Sequence, residues 1–343
     1  MDLVRRVVDA FGLGSLIAVE PLGGTATPKF AVELTSGRFV VRIRPREFSS
    51  ESMTRFDHEA LARLAAAGLP VPRPQKRADG TSWLRLNGRV IEVLSWVTGE
   101  PFAWDDLKAV GNVGAFLARF HTALSDNIPA GKEGFRREDD PRLLTPYVDR
   151  LAGLCHTDDQ RQGLDRIRQE LARVDRELDE RLWPHLPKTV IHGDIHTGNV
   201  YFRDSRVAAV YDFDYLSLQA RLRDVGDALV FFASLRHRPV EPDNIYSLTA
   251  PYRLDVQRAA ILLGGYQNTS RLTECEWNAI PWILRSQWCQ IRLRGSRKVP
   301  VQDKLAFVLD HFFQQVDWLD RTLPALVSSV RTKLENAKRP RPG

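Results

Sequence analysis

The 343-residue chain is too long for one domain of typical size and comfortable for two. Its composition, 43% apolar and 27% charged, is that of ordinary globular proteins and argues against extended disorder. No apolar run approaches the roughly 20 residues that span a bilayer, and a net charge of +6 without a recognisable binding module does not make a nucleic-acid binder. Neither a membrane nor nucleic acid is therefore an expected partner. Much of the positive charge lies in two stretches, RSQWCQIRLRGSRK at 285–298 and RTKLENAKRPRPG at the C-terminus, which read as solvated. Cys155, Cys275 and Cys289 are odd in number and lack Cys-x-x-Cys spacing, so neither a disulfide framework nor a zinc site follows. The expectation is a cytoplasmic protein, monomeric or homodimeric.

The opening MDLVRRVVDAFGLG reads as an amphipathic helix ended by glycine, without the apolar core of a secretory signal. KFAVEL, RFVVRI, SWLRL and RVIEVLSWV follow, rich in the β-branched and aromatic residues of strands. Ser36-Gly37 between the first two predicts an antiparallel hairpin. One helix interrupts them at 53–67, with Phe56, Ala60, Leu61 and Leu64 on one face and Gly68 and Pro70 as its stop. After Gly99-Glu100-Pro101 helical periods take over: Val110, Val113, Leu117, Phe120 and Leu124 mark a buried helix. The stretch 158–182 alternates Arg, Asp and Glu and predicts an exposed helix. Short strands return at 189–191, 200–202 and 208–211, and the chain beyond Val225 is mostly helical. The expected organisation is α+β: a small sheet lobe at 1–95, a larger helical lobe at 96–330 and a basic, flexible tail at 331–343.

The densest polar sequence is VIHGDIHTGNVYF, followed by VAAVYDFDY. Short strands bracketing these turns would gather His192, Asp194, His196, Asn199, Asp212 and Asp214 at one end of a small sheet. The glycine and aspartate between the two histidines suit a loop and not a zinc-binding helix. Phosphoryl transfer needs a carboxylate that orients the acceptor hydroxyl and takes its proton. It also needs a hard cation held by one or two protein oxygens plus phosphates. Asp194 is the expected base, and Asn199 and Asp212 the expected Mg²⁺ ligands.

HGDIHTGN followed by YDFDY resembles the catalytic and metal segments of the aminoglycoside phosphotransferase superfamily. That group includes choline kinases, type II homoserine kinases, methylthioribose kinases and a bacterial stress-response Ser/Thr kinase. The resemblance implies a bilobal, protein-kinase-like fold, ATP with Mg²⁺ as cofactors, and the same roles for Asp194, Asn199 and Asp212. By it, PLGGTATPKFAVEL is the nucleotide loop, where Gly23 and Gly24 admit phosphates to the backbone and Thr25 adds a donor. RFVVRI places Arg42 as the phosphate-binding base, with Arg44, on the same face by strand alternation, as its rival. FDHEALARLAAAGLPVPRP resembles the helix of the small lobe, so that Glu59 would pair with Arg42. RVIEVLSWVTGEPF resembles the strand and hinge, with backbone groups of Ser95 and Val97 binding adenine between Val40, Val93 and Leu94. RDVGDALVFF resembles the helix whose acid, Asp224, braces the catalytic loop, and His121 reads as structural.

The acceptor is less legible. The resemblance and the short span between Asp212 and the next helix imply a small-molecule hydroxyl, on an amino alcohol, sugar or antibiotic. A Ser/Thr protein kinase is the alternative, and a non-catalytic nucleotide-binding module a further one. Positive charge at Arg285, Arg292, Arg294, Arg297 and Lys298 favours a neutral or anionic acceptor, provided the segment faces the cleft. Tyr266, Trp277, Trp282 and Trp288 could instead cage a quaternary amine.

Overall fold

Alternation along two neighbouring strands divides the small lobe into two unlike layers. The computed structural model describes residues 2–22, 28–126, 128–133, 135, 137–236, 241 and 244–337. Helix α1 (Asp2–Phe11) is followed by β1 (Leu16–Leu22), β2 (Lys29–Leu34) and β3 (Gly37–Ile43). Helix α2 (Glu51–Ala66) intervenes before β4 (Trp83–Leu86) and β5 (Arg89–Ser95). The five strands form an antiparallel sheet in the order β1-β2-β3-β5-β4. Val41 pairs with Val93 and Arg42 with Glu92 across β3 and β5. Successive side chains point to opposite faces, so Val41, Ile91 and Val93 join Val32 and Leu34 on the outer face. There they pack under Val4, Val7, Val8 and Phe11 of α1. The inner face carries Val40, Arg42, Glu92 and Leu94 toward the second lobe.

Ser50 caps α2, its hydroxyl accepting the Met53 N–H at 3.2 Å. The helix buries Phe56, Ala60, Leu61 and Leu64 as its periodicity implies, together with Asp57 and His58. Beyond β5 the backbone presses against the large lobe. A Cβ on Gly99 would lie 2.9 Å from both the N and O atoms of Phe202, so no other residue fits there. Glu100 and Phe202 then exchange main-chain hydrogen bonds of 2.7 and 2.8 Å.

The large lobe contains α3 (Leu107–Ala123), α4 (Pro141–Ala152) and α5 (Asp158–Val174), then β6 (Lys188–Ile191), β7 (Val200–Arg203), β8 (Arg206–Val210) and β9 (Ser217–Ala220). Helix α6 (Leu222–Phe232) leads through β10 (Ser234–Leu235), α7 (Ile245–Leu248) and β11 (Arg253–Leu254) to α8 (Val256–Gln267) and α9 (Glu274–Gly295). The chain closes with α10 (Lys304–Leu309), α11 (Phe312–Arg321) and α12 (Leu323–Ala337). No described helix is long and apolar enough to cross a membrane.

Four expectations are corrected here. The strands around the acidic loop do not share one sheet: β6 pairs with β9 and β7 with β8. Helix α5 is not simply exposed, because Leu164, Ile167, Leu171 and Val174 recur at three and four residues and bury one face. Residues 331–337 belong to α12, where Arg331 pairs with Glu274 at 2.8 Å, and are no loose tail. Tyr266, Trp277 and Trp288 are buried in the core, and Trp282 stacks against Arg173 and Arg285. They form no cage on the cleft.

Candidate active site

A cleft of about 2040 Å³ opens between the lobes. Leu22 and Val40 line it from the sheet, Trp96 from the connection, and Tyr201 and Tyr211 from β7 and the residue after β8. The Arg38 guanidinium stacks over Trp96 at 4.0 Å. At the connection, Ser95 accepts the Arg73 N–H on its hydroxyl at 2.8 Å and donates its own N–H to Arg73 O at 2.9 Å. The Tyr211 hydroxyl donates to the Val97 carbonyl. Val93, expected against the nucleotide, instead faces α1 with the opposite parity of its strand. Gly23, Gly24 and Thr25 lie outside the described residues.

The loop from His192 to Asn199 is fastened from below. Asp224, on the first turn of α6, accepts the main-chain N–H groups of His192 and Gly193, each at 2.8 Å. Its second support is His121 Nε2 at 3.0 Å, whose Nδ1 meets the Tyr266 hydroxyl at 2.9 Å. Burial alone would raise the Asp224 carboxyl, yet the His121 bond and charge, His192 and the Gly193 N–H hold it below the ordinary carboxylate range. Gly193 has φ +81°, and a Cβ there would stand 2.8 Å from Tyr215 O; this explains the glycine before Asp194.

Above this brace Asp194 presents a side chain 41% exposed in the cleft. Its Oδ2 lies 3.6 Å from His196 Nε2 and accepts Asn199 Nδ2 at 3.2 Å. Burial raises this carboxyl, but His196, His192 and Asn199 outweigh it and keep Asp194 ionised below its usual range. The same Asn199 nitrogen donates to Asp194 O at 2.9 Å, which leaves the amide oxygen for another partner. Asp212 adopts φ +61°, a costly conformation for a residue with a Cβ and one that clusters at functional sites. One of its oxygens lies 3.3 Å from Arg42 and the other 3.6 Å from Lys29. An amide oxygen and a partly exposed carboxylate are hard donors of the kind a small divalent cation takes beside phosphates, so the residues fit such an ion.

The inner face of the sheet is a buried ionic network. Arg42 meets Glu92 at 3.0 Å and also pairs with Asp214. Arg44 meets Glu92 at 3.2 Å, Asp57 at 2.5 Å and the Phe48 carbonyl at 3.0 Å. His58 closes the set, 2.7 Å from Glu92 and 2.7 Å from the Ser82 hydroxyl. Burial disfavours the charge on Glu92, but Arg44, His58 and Arg42 bring it well below the ordinary range. Burial also opposes the charge on Arg42, and Asp214, Glu92 and Asp212 overcome it.

The expected Arg42–Glu59 pair is therefore not made. Glu59 projects to solvent and binds Arg63 one helical turn away. The partner of Arg42 is Glu92, its direct cross-strand neighbour, and the carboxylate that α2 contributes is Asp57, to Arg44. Both corrections had a signal in the sequence. Glu92 interrupts the apolar run Val90-Ile91-Glu92-Val93-Leu94, and Asp57 precedes Ala60 and Leu61 by three and four residues, on the buried face. Lys29 and Lys132 were also missed, and no local pattern marked Lys132. Of the basic segment, Arg294, Arg297 and Lys298 line the cleft. Arg285 instead pairs with Glu170 and Asp320, and Arg292 binds the carbonyls of Thr249, Phe307 and Asp310.

A sheet lobe and a helical lobe enclosing a cleft, with this loop at its floor, define a kinase-like fold. The solved structures agree. An amicoumacin kinase in complex with AMP-PNP and Ca²⁺ superposes with a TM-score of 0.65 at 15% identity, covering 98% of this chain and 93% of its own. A microcompartment-associated aminopropanol kinase gives 0.64 at 15% identity, covering 95% and 98%. Residues 18–255 match the phosphotransferase enzyme family, to which the chain belongs, as a kinase acting on a hydroxyl acceptor. Among curated proteins, the homoserine kinase of Rhodopseudomonas palustris (strain HaA2) is 27% identical over 310 residues, 88% of this chain and 85% of that one. The homoserine kinase of Rhizobium meliloti (strain 1021) is 27% identical over 287 residues, 83% and 80% of the two chains.

Proposed function

We propose that the chain uses ATP and Mg²⁺ to phosphorylate the hydroxyl of a small amino alcohol that also carries a carboxylate, such as homoserine. The observation that carries this is the ionised, partly exposed Asp194 carboxylate, held at the cleft floor beside Asn199 and near Asp212. The relatives named homoserine kinase support the acceptor, and the neighbour in complex with AMP-PNP and a divalent cation supports the cofactors. When bound, ATP supplies the activated phosphoryl group and Mg²⁺ neutralises its charge. The oxygens of Asn199 and Asp212 would hold the metal. Arg42 would meet the phosphates, since of the two strand arginines it is the one that contacts Asp212. The Ser95 carbonyl and Val97 N–H are the connection's groups for the purine, with Gly23, Gly24 and Thr25 at the phosphates.

Asp194 orients the acceptor hydroxyl and receives its proton at the carboxylate. Because its affinity for protons is lowered, it takes the proton late, as the new O–P bond forms. The acceptor end of the cleft offers both charges. Lys298 and Arg297 are exposed there and suit a carboxylate. Asp227 faces the same cavity with Oδ2 buried and unpartnered among the described residues, and Gln287 holds its other oxygen at 2.7 Å. Burial pushes the Asp227 carboxyl well above its ordinary value, which favours the neutral form, and an arriving ammonium would supply the missing partner and restore the charge.

ADP release is measured with ATP, Mg²⁺ and each of homoserine, an amino alcohol lacking the carboxylate, choline and an aminoglycoside. Turnover should be highest with homoserine, and Asp194→Ala should reduce it about 10²–10⁴-fold. Acceptor-dependent turnover that survives Asp194→Ala would remove the base. Preference for choline or the aminoglycoside would overturn the acceptor.

A further inference from the structure

Lys132 places its ammonium over the rings of Phe56 and Phe135, whose centroids are 5.5 and 5.2 Å from Nζ. Its side chain has no solvent exposure. Three oxygens surround the ammonium: Asp57 Oδ1 at 2.7 Å, and the main-chain carbonyls of Asp214 and Leu216, each at 2.8 Å. Asp57 belongs to α2 of the small lobe; the two carbonyls belong to the turn after Asp212 in the large lobe. Lys132 comes from a third place, the segment between α3 and α4. Burial and the nearby Arg44 lower the proton affinity of the amine, and Asp57 supports its charge.

The charges form one connected series. Lys132 meets Asp57, Asp57 meets Arg44, Arg44 meets Glu92, and Glu92 meets Arg42. Arg42 returns to Asp212 and Asp214, the start of the turn whose carbonyls Lys132 holds. The closed series counts three cations, Lys132, Arg44 and Arg42, against three deeply buried anions, Asp57, Glu92 and Asp214. Removing Lys132 leaves Asp57 Oδ1 and two carbonyls without their cationic partner, which is unfavourable at a buried site.

We propose that Lys132 is a positioning residue that fixes the turn carrying Asp212 and Asp214 against α2, and so sets where the metal-side carboxylate stands relative to Arg42. It would touch neither nucleotide nor acceptor. The functional part of this rests on the phosphotransferase reading of Asp212; the mechanical part does not.

The test combines two measurements on Lys132→Met in the full chain. Amide hydrogen exchange in the nucleotide-free protein should accelerate about tenfold or more at residues 213–217, with the amides of α1 and the outer sheet face unchanged. Calorimetry with ADP should show an affinity loss of about 10–100-fold in the presence of Mg²⁺ and almost none in its absence. Asp57→Asn, which keeps the shape but not the charge, should give the same pattern more weakly and carries the test should Lys132→Met not fold. Uniform exchange across the protein, or a wild-type Mg²⁺ dependence of ADP binding in both variants, would overturn the proposal. Wild-type protein that binds no ADP with Mg²⁺ would instead sink the phosphotransferase reading, while the exchange pattern still judges the strut.

Discussion

The two faces of the β3–β5 strand pair hold the small lobe by opposite means. Outside, Val41, Ile91 and Val93 meet the apolar stripe of α1, a contact that is non-directional and tolerant of small shifts. Inside, one residue along each strand, Arg42, Arg44 and Glu92 are equally buried but depend on donors and acceptors at fixed distances. An ion pair placed there is a poor way to gain stability, since desolvation consumes most of the attraction. Its use on the face where the sheet meets Asp212 and Asp214 makes sense as alignment. The outer face holds the lobe together and the inner face aims it.

Substitutions on each face sharpen that contrast. Glu92→Ala removes the carboxylate that two buried guanidinium groups share, and should cost about 3–5 kcal/mol in urea unfolding. Because Glu92 is held well below its ordinary 4.5, its stabilisation is whole above about that pH and is lost as pH falls through the lower folded value. Glu92→Gln should therefore flatten the acid limb of the stability curve. An acid limb as steep as wild type would break the ionic account of this face. Next in size, Arg42→Ala should weaken ADP binding about 10–100-fold by calorimetry, since a charge-assisted bond to phosphate is worth about 1.5–3 kcal/mol. On the outer face, Val7→Ala should cost about 2 kcal/mol of stability and leave both nucleotide affinity and the acid limb unchanged. A loss of ADP affinity in Val7→Ala would show that the faces are not separable. Glu59→Ala should change stability by no more than about 0.5 kcal/mol and affinity not at all, because its ion pair with Arg63 is exposed.

The same contrast explains what could be read from the sequence. Hydrophobic periodicity placed α1, the strands and the buried face of α2, because burial of apolar surface depends on local spacing. The loop from His192 to Asn199 was legible for another reason: its chemistry demands specific residue types within a few positions. The pairing of Arg42 was misjudged because an ion pair between distant segments is decided by register. Glu92 lies 50 residues from Arg42 but directly opposite it once β3 meets β5. Glu59 shares a helix with Asp57, the carboxylate that α2 does contribute, but two residues on a helix is just over half a turn, which points Glu59 to the opposite side. Lys132 left no pattern at all, since its partners are two main-chain oxygens and a carboxylate from elsewhere.

The clip between Glu100 and Phe202 has a mechanical consequence. With Ser95 tied to Arg73 on one side and Glu100 anchored to β7 on the other, only Trp96, Val97, Thr98 and Gly99 lie between fixed points. Gly99 itself is pressed onto the Phe202 backbone, which leaves almost no slack. Any opening of the two lobes must turn about an axle this short, like a door on a single tight pin. A small rotation there would swing the far edge of the sheet through a wide arc while hardly displacing the end of the cleft beside Trp96.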